Sequence, residues 1–120
     1  MSKFVIRAVP TGVKFDLCAA NGQVIAGSEV YSARAACLRG IESVRRCARL
    51  GRVADLTEEG GEEPANPKFE LYQDKRGAFR FRLRARNGQI IVVSEPYSGK
   101  GACQGGIDSV IANAPAATIE

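Results

Sequence analysis

Apolar and polar residues alternate over two short stretches near the start of the chain, and again over two stretches past its middle. Phe4 and Ile6 alternate in the first, and Phe15, Leu17 and Ala19 in the second. Phe69 and Leu71, then Phe79, Phe81, Leu83 and Ala85, repeat the pattern. A period of two predicts strands with one buried and one open face. Each second strand runs into Asn-Gly, at 21–22 and 87–88, a dipeptide that favours a two-residue hairpin turn. Such a turn pairs Ala20 with Gln23 and Arg86 with Gln89. That register sends Val24, Ala26 and Ser28, and likewise Ile90, Val92 and Ser94, to the buried face.

The period then lengthens. After Ser32, Cys37, Gly40, Ile41, Val44, Cys47 and Ala48 fall on one helical stripe, and Cys103, Gly106, Ile107 and Val110 repeat it after Ser98. Ser32 and Ser98 are suited to cap these helices. Gly51 ends the first, and Asn113-Ala114-Pro115 the second. Arg34, Arg39, Arg45, Arg46 and Arg49 lie off the stripe, where a solvated face is expected. Gly99 and Gly101 weaken the start of the second helix by about 1 kcal/mol each. Short tails, 53–57 and 117–120, read as fourth strands.

The two halves are copies. Segments 15–44 and 81–110 align without a gap, and about 17 of 30 positions are identical. Asn-Gly-Gln, Ser-Glu-x-Tyr-Ser and Ala-Cys-x-x-Gly-Ile recur intact. The organisation predicted is repeat 1 over 1–57, a Gly- and Pro-containing acidic linker over 58–67, and repeat 2 over 68–120. A unit of about 50 residues buries too little surface to be secure alone. The two repeats are therefore expected to share one compact domain, and the protein to be a monomer.

Net charge is +4, split as +5 over 1–57, −4 over the linker and +3 over 68–120. Mild basicity permits an anionic partner without demanding one. No apolar run reaches the ~18 residues of a membrane span. The first residues lack a secretory apolar region, so a cytoplasmic location with no membrane partner is expected. The four cysteines form no C-x-x-C pair, and the chain has no histidine. A zinc site is not expected, nor is any cofactor. Buried, reduced thiols are the simplest reading.

The order Asn-Gly-Gln, strand, Ser-Glu-x-Tyr-Ser, then a helix carrying Ala-Cys-x-x-Gly-Ile-[Glu/Asp]-Ser-Val resembles the YegP-like family, a domain family of unknown function. The resemblance covers both copies. It implies an α+β fold of two β-β-β-α-β repeats that form one antiparallel sheet with both helices on one face. It also implies terminal strands exchanged between repeats, and single-copy relatives that dimerise. It brings no catalytic residues and no ligand.

The chemistry available is narrow. Without histidine no Ser-His or Cys-His pair exists, and no phosphate loop or dinucleotide fingerprint is present. Gly99-Lys100-Gly101 lacks the spacing of a phosphate loop. Ser28-Glu29 and Ser94-Glu95 read as strand ends. A non-catalytic binding module is the expectation. Its candidate face is a row: Arg80, Arg82, Arg84 and Arg86 point out of one strand, opposite Glu95, Val93, Ile91 and Gln89. Ile91 and Val93 would lend apolar contact, and Tyr72 of the neighbouring strand is the one stacking aromatic. An acidic protein surface is one suitable partner. Single-stranded nucleic acid is the alternative, although sheet faces that bind RNA usually carry more aromatics. Charge reversal at Arg82 and Arg84 is expected to spare the core.

Overall fold

A computed structural model describes residues 2–61 and 63–120; Met1, and Glu62 of the acidic linker, lie outside them. The elements run β1 (Lys3–Val9), β2 (Gly12–Cys18), β3 (Val24–Ser28), α1 (Arg34–Leu50), β4 (Val53–Asp55), then β5 (Lys68–Gln73), β6 (Phe79–Arg84), β7 (Ile90–Ser94), α2 (Lys100–Asn113), a 3-10 turn over 114–116, and β8 (Thr118–Ile119). Eight strands form one sheet in the order β4-β5-β6-β7-β3-β2-β1-β8. The fold is α+β, with one mixed sheet and two helices.

The sheet joins at its centre, where β3 and β7 pair antiparallel with Ala26 opposite Ser94 and Gly27 opposite Val93. Its outer strands are exchanged. β4, from the first repeat, pairs with β5 of the second, and β8 pairs with β1. Both outer pairings are parallel, which corrects the expectation of a wholly antiparallel sheet. Each of these strands follows a helix that recrosses the sheet, so it arrives running the same way as its new neighbour.

Both helices lie on one face and share one core. Phe4, Phe15, Phe69, Phe81, Leu71 and Leu83 from the strands meet Ile41, Val44, Ile107 and Val110 in it, all essentially without exposure. Cys37, Cys47 and Cys103 are buried in the same cluster. The stripe read from the sequence is therefore the packed stripe. The start of each helix differs: the capping residues are Ala33 and Gly99, with no side-chain cap. Because Gly99 precedes the helix, only Gly101 of that pair weakens it. Gly51 ends α1 in the left-handed conformation, φ 61°, its N–H donating to Cys47 O at 3.0 Å.

The hairpins correct the predicted register. Gly88 N–H donates to Ala85 O at 2.9 Å, and Ala85 N–H to Gln89 O at 2.8 Å, making a three-residue loop. Ala19, Gly22 and Gln23 repeat this geometry. Only the glycines, both at φ 86°, are left-handed. The two-residue turn would need Asn21 and Asn87 left-handed as well. Instead each asparagine Oδ1 accepts the N–H two residues on, at 3.0 Å. The longer loop forces a bulge: Leu83 faces Val92, but Arg84 faces Ile90, leaving Ile91 unmatched. Arg84 is therefore not opposite Ile91. The same slip in repeat 1 leaves Ile25 unmatched.

Candidate functional site

Alternation along β5 and β6 sends Phe69, Leu71, Phe81 and Leu83 into the core. Arg82 and Arg84 then face Glu70, Lys68 and Tyr72 on the other side. Arg82 lies opposite both Glu70 and Val93, which places Val93 on the open face beside it. Ile91 is only 5% exposed and belongs to the core cluster, because the bulge turns it inward. It offers no apolar contact to a partner at the open face.

The row is organised by a residue the sequence reading missed. Glu70 is 4% exposed, and its Oε1 accepts from Arg82 Nε at 2.8 Å and Arg84 Nε at 2.6 Å. Lys68 Nζ lies 3.7 Å from its other oxygen. Burial raises the Glu70 carboxyl, but the two arginines, bonded and charged, outweigh it and hold the group below its ordinary range. The Arg82 guanidinium also lies over Tyr72, 4.5 Å from the ring centroid. Arg84 Nη1 donates to Gly88 O at 2.8 Å. Arg80 bonds Asp74 through Nε at 2.9 Å and Ser94 O through Nη1 at 3.0 Å; its expected cross-strand partner, Glu95, is not the one it takes. Arg80, Arg82 and Arg84 are thus clamped at Nε by carboxylates. The Nη atoms of Arg82 make no hydrogen bond among the described residues.

One signal could have exposed Glu70: it is an acid at a strand position that faces arginines in both directions once β5 and β6 are paired. Repeat 1 lacks this clamp: Val5 stands opposite Asp16 where Glu70 stands opposite Arg82, and Asp16 instead pairs diagonally with Arg7 Nε at 2.8 Å. Charge reversal at Arg82 and Arg84 would therefore set two carboxylates against buried Glu70. That corrects the expectation that such a change spares the fold.

Arg86 does not continue the row. It is exposed in the hairpin loop and, with Asn87, borders a groove opposite Ser43 and Arg46 of α1. Above that groove, Tyr31 crosses α1 at Gly40, whose missing side chain leaves room for the ring and its hydroxyl. Tyr97 crosses α2 at Gly106 in the same way. Each tyrosine stacks on a core phenylalanine, Tyr31 on Phe15 at 6.3 Å and Tyr97 on Phe81 at 6.4 Å. Each is pinned by paired backbone bonds, to Val13 and to Phe79.

The cysteines carry no site. All four are free and buried. Burial pushes the Cys47 thiol up to about 12, Arg52 opposing it weakly, and Cys103 up to about 11. Cys18 and Cys37 are also raised, chiefly by burial. A reactive thiol needs the opposite shift. No helix among the described residues is long and apolar enough to cross a membrane.

The chain matches the model of a domain of unknown function, DUF1508, at residues 12–55 and 74–120. It is 42% identical to a UPF0339 protein of Mannheimia succiniciproducens over 88% of this chain and 80% of that one. A UPF0339 protein of Treponema denticola is 54% identical over 43% of this chain and 90% of its own length, so it matches one repeat. The solution structure of a UPF0339 protein from Shewanella oneidensis superposes with a TM-score of 0.80 at 30% identity, covering 99% of this chain and 89% of that one. The E. coli yegP structure, described as a protein of unknown function, gives 0.78 at 28% identity over 99% and 90%.

Proposed function

Since the chain belongs to the DUF1508 family of unknown function, we propose that it is a non-catalytic binding module whose open sheet face takes an acidic protein surface. The carrying observation is Glu70. By fixing Arg82 and Arg84 through their Nε atoms, it settles their orientation before any partner arrives and removes much of the side-chain entropy cost of binding. Lys68, Arg80, Arg82 and Arg84 outnumber Glu63, Glu70 and Asp74 there, so the face keeps excess positive charge. Planar guanidinium forks suit carboxylates, and Val93 adds an apolar neighbour. The reading includes a cytoplasmic location and a monomeric state, the latter supported by the exchange of strands within one chain.

A second reading, single-stranded nucleic acid, is favoured by one feature. Arg82 laid on Tyr72 offers a planar surface on which a base can stack. One titration separates the two. An acidic peptide and a single-stranded oligonucleotide are each added to the protein at low salt while amide shifts are followed. The peptide is expected to move signals on β5 and β6. The paired variant Arg82→Gln with Glu70→Gln, which removes a guanidinium without stranding its carboxylate, is expected to weaken binding about tenfold, or 1.4 kcal/mol. If the oligonucleotide binds instead, with log affinity falling by about 0.7 per phosphate contact against log salt, the second reading replaces the first. Silence from both probes ends both readings.

A further inference from the structure

The two most strictly repeated motifs meet across the molecule. Glu29, Val30 and Tyr31 of repeat 1 line a groove of about 810 Å³ with Gln89, Ile90 and Ile91 of repeat 2. Glu95, Pro96 and Tyr97 of repeat 2 line its counterpart, about 560 Å³, with Gln23, Val24 and Ile25 of repeat 1. Backbone bonds across the central seam hold both: Glu29 N–H donates to Ile91 O at 3.3 Å, and Glu95 N–H to Ile25 O at 3.1 Å. The bulged isoleucines thus supply the carbonyls that tie Ser-Glu-x-Tyr of one repeat to Asn-Gly-Gln of the other.

The two grooves differ in charge. The first runs along α1 past Arg39 and Ser43, then opens into a smaller hollow walled by Arg46, Arg86 and Pro67. None of these three arginines has an ion pair or side-chain hydrogen bond among the described residues. At the aligned positions of the other groove stand Gly105, Ala112 and Ala20. Three cations, drawn from separate stretches of sequence, have thus been placed on one groove and left off its twin. All three are exposed and fasten nothing in the fold.

The opposite end is different. There the Tyr31 hydroxyl lies over Gly40 and makes no hydrogen bond to a described residue, which leaves it free to bond a ligand or water, as the Tyr97 hydroxyl is in the twin. Val30, Ile90 and Ala36 give apolar surface beside it, and Glu29 supplies a carboxylate. From Ala36 to Arg46 the helix advances about 15 Å, roughly the length of an extended nucleotide.

We propose that this groove binds a nucleoside phosphate. The phosphates lie against Arg39, Arg46 and Arg86, where unpaired guanidinium groups satisfy several oxygens at once. The base rests on Val30, Ile90 and the Tyr31 edge, with the Tyr31 hydroxyl donating to the ligand. Glu29 accepts from a ribose hydroxyl or an exocyclic amine. The twin groove keeps the tyrosine and lacks the cations, so it does not bind phosphates.

The test is titration of the intact chain with adenosine diphosphate, followed by amide shifts and calorimetry, beside adenosine alone and inorganic pyrophosphate alone. The expected result is binding of the diphosphate, at least tenfold tighter than either part, with shifts at Tyr31, Arg39, Ser43, Arg46 and Asn87. Arg39→Glu with Arg46→Glu should reduce affinity at least tenfold. Arg49→Glu, an equal charge change per residue elsewhere on α1, should leave it unaltered. Tyr31→Phe, which retains the ring, should weaken it several-fold. Unchanged amide dispersion in each variant separates lost contact from lost fold. No binding at millimolar diphosphate overturns the proposal. So does equal binding of pyrophosphate or adenosine alone, or a shift pattern confined to Tyr72, Arg80 and Arg82.

Discussion

Cys47 and Cys103 are ionisable groups used as apolar filler. Their thiols hold the proton in the folded state up to about 12 and about 11, against an ordinary value of 9.0 once the chain unfolds. The unfolded state therefore binds fewer protons above pH 9, and stability falls as pH rises from there toward 11. Below pH 9 the thiols contribute no slope. Tyr31 and Tyr97, raised by burial from 10.0, act in the same direction. The thermal midpoint is expected to decline between pH 9 and 11, and Cys47→Ala with Cys103→Ala should flatten that decline while lowering stability at neutral pH. The buried position of these cysteines was legible because helical spacing alone sets it. The fit of Tyr31 against Gly40 was not, since it joins residues on different elements through a close approach that no periodicity records.

At the scale of elements, the sequence announced each strand and helix but misjudged how neighbours meet. Asn-Gly marked both hairpins, yet its asparagine side chains bond the chain two residues on and lengthen each loop. One added loop residue became a bulge, and the bulge moved Ile91 from the open face to the core. Glu70 escaped notice for a related reason: strand alternation gives a face, while the clamp on Arg82 and Arg84 depends on which strand lies alongside. The tails show how much an outer strand depends on its host. Ile6 N–H donates to Glu120 O, and Glu120 N–H to Phe4 O, both at 2.7 Å. Arg45 Nη2 of α1 secures Ala117 O at 2.7 Å. A chain ending at Ala116 is expected to exchange its Ile6 amide proton with solvent far faster than the full chain, while the Leu83 amide changes much less. Equal acceleration at both positions would mean that the tail acts on the whole fold rather than on this edge.

Across the whole molecule, the exchange makes each repeat an incomplete object. Residues 1–57 alone would leave β3 without its central neighbour and β4 without a host, and 68–120 would be equally deficient. Expressed separately, the two pieces should be poorly folded at micromolar concentration and should regain the helical and strand signal when mixed in equal amounts. Recovery by either piece alone as a monomer at that concentration would show a self-sufficient unit, whereas recovery as a homodimer would show one copy standing in for the other. The connection between β4 and β5 then has a kinetic meaning. Twelve residues, 56–67, keep the two pieces covalently joined, and a tether that short sets an effective concentration of about the millimolar range. What would be a second-order encounter becomes a first-order closure, indifferent to dilution. The tether also sets the concentration at which chains start to trade halves: only where protein approaches the millimolar range does a neighbour's repeat compete with the chain's own.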